Sequence, residues 1–224
     1  MRRGGKSRWF VFLPALMLGA GGAGGANPFA SFESRCAQLP APRFAVIEVP
    51  VSYSEDGSQS IDDLTLKSGD TPEMRITFGL TTAHFGHKTE YVLRSVDDPG
   101  SGRTCGTPTV QVEVSMQPMM VFIADELRDA PCPRAVTFSH EMKHVAVFRQ
   151  TLDDVVRDLR ADLPERLGAG MRRASSQAEL ERQFKAAFDD YLGSFFHRWH
   201  GALTERQAAV DSPQEYTRVK NACP

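Results

Sequence analysis

The chain of 224 residues has four cysteines but no Cys-x-x-Cys spacing, which argues against a zinc site built on thiolates. Basic excess is also missing: 26 Lys and Arg stand against 28 Asp and Glu, a formal net charge of −2. A nucleic-acid partner, which favours a basic surface, is therefore not expected. The apolar run Trp9–Leu18 is ten residues long. A membrane-spanning helix needs about 20. Internal repeats and low-complexity tracts are absent after residue 26. Histidine is scarce, at six residues, so its placement carries information.

The first 26 residues read as a secretory signal peptide. Arg2, Arg3, Lys6 and Arg8 precede the apolar run, and Gly24-Gly25-Ala26 offers a cleavage point before Asn27. That segment holds four of the basic groups and no acidic one, so its removal leaves the chain acidic by about six charges. No Cys follows directly to carry a lipid, and no stable membrane anchor is expected after cleavage. Secreted or periplasmic localisation in a bacterial envelope follows. Cys36, Cys105, Cys132 and Cys223 would then form two disulfides, with three pairings open. Cys132–Cys223 is the suggested pair, because it would tie the C-terminus back beside the helix described next.

Residues 27–42 are expected to form an extended lead-in to a single domain over 43–224, β-rich over 43–125 and α-rich over 132–224. Strands are predicted at Phe44–Val51, Met74–Leu80, Tyr91–Val96, Thr109–Met116 and Met119–Ala124. Residues 54–63 read as loop, as does the His84- and His87-bearing stretch 81–87, and Asp97–Gly102 as a turn. Thr109–Met116 alternates with period two, and Gln117-Pro118 is expected to break it from the next strand. From Pro133 the period changes to helical, with an apolar stripe that starts at Val136 and runs on from Val145 to Leu163. Ser176-Gln177-Ala178-Glu179 opens a second long helix with an aromatic face, and Ser212-Pro213-Gln214-Glu215 a short third one. The fold class is α+β: a mostly antiparallel N-terminal sheet, then two long antiparallel helices.

The first of those helices carries His140-Glu141-Met142-Lys143-His144. Histidines at i and i+4 stack one turn apart and can bind one metal ion. Glu141, about 100° round the helix, faces a water in the ion's open position rather than the ion itself. A surface pair of His beside a Glu gives the same letters, but the flanking pattern of strand and long amphipathic helix favours the metal reading. Catalytic zinc takes three protein ligands, so a third is needed. If the helices form an antiparallel hairpin, equal counts from their connection bring 197–205 level with the motif. Glu205 is the favoured ligand on a helical wheel. Asp211, Glu215 and His200 remain alternatives.

With these residues in place, the chain resembles the zincin metallopeptidases. More narrowly, residues 107–224 are similar to bacterial families described as predicted secreted zinc-dependent proteases, from Cys132 through the motif to Asp211–Tyr216. The resemblance implies that His140 and His144 bind Zn2+ and that Glu141 is the general base. Position 150, where a metzincin has its third His, is Gln150, and no Glu-x-x-x-Asp segment follows at thermolysin-like distance. The expectation is a zinc-dependent hydrolase, a metallopeptidase acting on a peptide or protein. The alternative is a non-catalytic binding or structural domain whose metal site is structural or vestigial.

Overall fold

The longest strand decides how the rest is arranged. In the computed structural model, which describes residues 31–69, 71, 76–168 and 170–224, β4 runs unbroken over Thr104–Ile123. It is central. β3 (Gly79–Asp97) lies antiparallel along one side. The other side pairs in succession with β5 (Arg172–Ala174, antiparallel), β1 (Arg43–Glu48, parallel) and β2 (Ser54–Asp56, parallel). The sheet is thus mixed, and mostly antiparallel by length.

Two strands were expected where β4 is one, and the reason lies at Gln117-Pro118. The most deeply buried side chains flanking the proline, at 2% exposure or less, are Val110, Val112, Val114 and Met116 before it, and Met119, Val121 and Ile123 after it. The inward-facing positions change from even to odd. Pairing shows why: Phe85 faces Met116 and Ala83 faces Met119, so β4 carries one extra residue there. Such a bulge keeps both apolar sets on one face despite the phase change. The N–H that Pro118 lacks also falls in the gap between β1 and β2, where no ladder bond is needed. The peptide bond before it is cis.

Three further expectations change. The stretch 81–87 is not a loop, because β3 continues through it. Residues 54–63 hold β2 and the start of α2 (Ile61–Ser68), whose N-cap Ser60 exchanges hydrogen bonds with Asp63 in a capping box. The lead-in is not wholly extended, since α1 spans Phe32–Ala37. Phe32 and Cys36 of α1 are buried against Cys105, to which Cys36 is disulfide-bonded. The signal-peptide segment, residues 27–30 and the beginning of the Met74–Leu80 strand lie outside the described residues. Between β3 and β4, Gly102 takes the left-handed conformation, φ 72°, that the turn requires and side chains resist.

The two long helices cover the apolar face of the sheet. α3 (Pro131–Leu167) begins with proline, whose missing N–H costs nothing in a first turn. It buries Val145, Phe148, Leu152, Val155, Val156, Leu159, Leu163 and Leu167, a stripe at spacings of three and four. α4 (Gln177–Val210) is capped by the Ser176 hydroxyl, which accepts from the Glu179 N–H at 3.2 Å. It buries Leu180, Phe184, Phe188, Leu192, Phe195 and Phe196. These residues and those of β4 form one continuous core. α5 (Pro213–Lys220) closes the chain, and Cys223 beyond it is bonded to Cys132 at the start of α3, the suggested pair. Residues 32–224 make one compact unit.

Candidate metal centre

The motif lies in the third and fourth turns of α3. His140 and Glu141 are buried, 7% and 3% exposed, and His144 is half-buried. The helix stripe that anchors Val145 and Phe148 in the core turns the two histidines toward the far end of α4. There Asp211 ends α4 as its C-cap residue.

Three atoms converge. His140 Nε2 lies 3.2 Å from Asp211 Oδ1, His144 Nε2 lies 3.4 Å from the same oxygen, and the two Nε2 atoms are 3.4 Å apart. Ligands held about 2.0–2.1 Å from one ion at tetrahedral angles lie about 3.3–3.4 Å from one another. The observed triangle has that size.

Hydrogen bonding on the outer side of the rings supports a cation inside. His140 Nδ1 donates to Glu215 Oε1 at 3.2 Å, and His144 Nδ1 donates to Gln207 Oε1 at 2.6 Å. The orientation of the Gln207 amide is fixed by its NH2, which donates to the backbone carbonyl of His144 at 3.4 Å. With protons on both Nδ1 atoms, a neutral imidazole presents a lone pair at Nε2. Two such lone pairs and a carboxylate oxygen then point at one spot, an arrangement that only positive charge can satisfy. A proton meets the demand in part, and the metal-free histidines respond accordingly. At His140 the Asp211 carboxylate raises the pKa above its usual value against the effect of burial. At His144 burial opposes the charge, but the bonds to Asp211 and Gln207 and the nearby Glu141 charge outweigh it, and the pKa again rises. A divalent ion meets the demand fully, and the donor set of two imidazoles and one carboxylate suits one.

The surrounding groups fix the ligands. Glu215 is held well below the usual carboxylate range by Arg218 foremost, and by Lys143 and His140. It therefore stays an acceptor for His140, the carboxylate–histidine pairing that orients metal-bound rings. The Tyr216 hydroxyl donates to Asp211 Oδ1 at 2.7 Å.

Glu141 stands apart from the triangle, as its place on the helix requires. The Thr81 hydroxyl of β3 donates to its Oε2 at 2.8 Å. Burial pushes its carboxyl pKa up, against the Thr81 bond and the two histidines. β3 approaches closely here: a Cβ on Gly79 would lie 2.7 Å from Glu141 Oε1 and 2.6 Å from Thr137 Cγ2. Only glycine lets the strand pass. A cavity of about 690 Å³ opens over the site, lined by all three triangle residues, Glu141, the start of β3, Phe148 and Tyr216. There is room for a fourth ligand and for a substrate.

Glu205 is not in this cluster. It is exposed on α4, while Gln207 and Asp211 face the motif. Equal counting from the connection misplaced the level because the connection is not a tight turn. It contains β5, which reaches back to pair with β4, and α3 itself continues past Pro164 to Leu167. Asp211 and Glu215, two of the alternatives, are both present, one in the triangle and one behind His140. His200 is exposed, edge-on to the Phe85 ring at 5.0 Å. His87 stacks on Phe196 at 4.1 Å, where burial lowers its pKa, and belongs to packing. Among the described residues His140, His144 and Asp211 are the one such group able to hold a metal ion. Thr81, Gly79 and Gln207 had no signal in the sequence, since each acts through a contact distant along the chain.

Two disulfides fit an oxidising compartment. No described helix is long and apolar enough to cross a membrane. Compared with known proteins, the chain matches no family model, no curated protein and no solved structure.

Proposed function

We propose that the protein is a secreted or periplasmic zinc-dependent hydrolase, acting on peptide or protein substrates, with His140, His144 and Asp211 as ligands and Glu141 as general base. The observation that carries the reading is the triangle of two lone-pair nitrogens and one carboxylate oxygen with tetrahedral edge lengths beside a buried glutamate. Zinc bound there would supply a Lewis acid that acidifies water and polarises a carbonyl. Glu141 takes a proton from the attacking water and passes it to the leaving amine nitrogen. A carboxyl raised by burial suits both steps, because it is basic enough to accept and acidic enough to return the proton. Thr81 restrains one of its oxygens and Gly79 sets its distance from the strand.

The free edge of β3 supports a peptide substrate. β4 cannot serve, because both its sides are paired. β3 pairs with β4 alone among the described strands, and its first residues border the cavity. An extended peptide can add to such an edge through backbone hydrogen bonds. A second reading, a structural metal, is favoured by one observation: Asp211 comes from α4 and the histidines from α3, so an ion would cross-link the helices. Glu141→Gln separates the two. With zinc retained, hydrolysis of denatured casein is expected to fall by roughly 10²–10⁴-fold. Unchanged hydrolysis would remove Glu141 from the mechanism, and wild-type protein that binds zinc without hydrolysing any of a broad peptide set would favour the structural role.

A further inference from the structure

The third ligand and the groups that orient the histidines from outside α3 all lie in a segment that the hydrophobic core holds only through the partly buried Trp199 and Leu203. From His197 to Pro224 no residue is buried. Yet Gln207, Asp211, Glu215 and Tyr216 come from it. Beyond Trp199 and Leu203 it meets α3 through polar groups: Arg206 with Thr151 and Asp154, Gln207 with His144, Asp211 with both histidines, Glu215 with Lys143 and His140. These contacts lie at the margin of the fold and are only partly buried, so they hold the segment less firmly than apolar packing holds the first half of α4. The covalent tie is Cys132–Cys223, which fastens the end of the segment to the first turn of α3, two turns before His140.

The two disulfides differ in access. Cys36 and Cys105 are 1% and 0% exposed, whereas Cys132 is exposed and Cys223 half-buried. Thiol–disulfide exchange needs a thiolate to reach a sulfur, so a soluble reductant meets the C-terminal bond first.

We propose that Cys132–Cys223 is a redox latch on the metal centre: oxidised, it holds the C-terminal segment against α3 and keeps Asp211 at the histidines; reduced, it releases that segment and weakens metal binding. The proposal rests on the metal reading above. The opening step is exchange with a dithiol. Its thiolate attacks one sulfur, the mixed disulfide is resolved by its second thiol, and it leaves as a cyclic disulfide. Two electrons and two protons pass to Cys132 and Cys223, which become thiols. Tethering acts by keeping the segment at high local concentration beside its contacts, so its loss lowers affinity without altering any ligand. A chain made in a reducing compartment would hold the ion weakly and tighten on it after reaching an oxidising one.

The test uses full-length folded protein. Brief exposure to a dithiol followed by iodoacetamide and removal of both reagents should label Cys132 and Cys223 and leave Cys36–Cys105 intact, as read by peptide mass. Titration with Co2+, followed by its visible absorption, should then give an affinity roughly ten- to a hundredfold weaker than that of the oxidised protein, the size of effect expected when support outside the ligand shell is lost. Trypsin should cut faster after Arg206 and Arg218 in the opened form. The double variant Cys132→Ser, Cys223→Ser should match the alkylated protein. Equal Co2+ affinity in the closed and opened forms overturns the latch, as does preferential labelling of Cys36 and Cys105. No Co2+ spectrum in the oxidised protein overturns the metal reading itself and the latch with it, a result distinct from equal binding.

Discussion

The two halves of α4 share one helix and little else. Leu180 to Phe196 supplies six buried side chains, none more than 5% exposed, and packs against α3 and β4. His197 to Val210 supplies none, and its inward groups are the partly buried Trp199 and Leu203 and the polar Arg206 and Gln207. The first half is held by apolar burial, at roughly 25 cal/mol per Å² removed from water. The second is held by the partly buried Trp199 and Leu203, by polar contacts, by the disulfide beyond it and, on the metal reading, by an ion. One helix thus joins a region built for stability to a region built for a site, and the ligand Asp211 stands at the tip of the second.

Substitutions should separate the halves. Phe188→Ala removes a fully buried ring and is expected to cost about 3–5 kcal/mol, whether or not zinc is present. Trp199→Ala, in the half-buried region, should cost clearly less; equal losses by chemical denaturation would break the contrast. Zinc at a thousand times its dissociation constant should add about 4 kcal/mol to stability. The added protection in hydrogen exchange should fall on residues 197–220 and spare 180–196. Uniform protection would mean that the halves are not independent. Gly79→Ala forces Glu141 and Thr137 from their places and should cost about 1–3 kcal/mol, with Glu141-dependent activity falling further than stability.

The smallest expected effect is in pH. In metal-free protein both histidine pKa values are raised, so their stabilising contribution is complete below the ordinary histidine value of 6.5 and is lost as pH rises through the higher folded values. Zinc competes with those protons, so its stabilisation should grow over the same range. Melting temperatures of both forms from pH 5 to 9 should diverge as pH rises. Parallel curves would show that the ion and the protons do not share the rings.

What the sequence discloses follows the range over which each feature is decided. The His140–Glu141–His144 stack depends only on helical period, and the apolar stripe of α3 and the aromatic one of α4 likewise. The caps Ser176 and Ser212 are local as well. The bulge at Gln117-Pro118 left a trace, the change from even to odd buried positions, but the trace reads equally as a strand break until the partner β3 is known. The capping box at Ser60 and Asp63 was also present in the letters, hidden by the turn-like composition around it. The third ligand was not legible. Whether Glu205, Asp211 or Glu215 meets the motif depends on where α4 starts relative to the end of α3, and β5 sets that through pairing with a strand some 70 residues earlier.

Metal content after zinc loading and desalting tests the central claim most directly, measured for wild type, Asp211→Ala and Glu205→Ala. The account predicts one ion per chain in wild type and in Glu205→Ala, and loss of tight binding in Asp211→Ala. Retention in Asp211→Ala with loss in Glu205→Ala, or no bound ion in wild type, would contradict it.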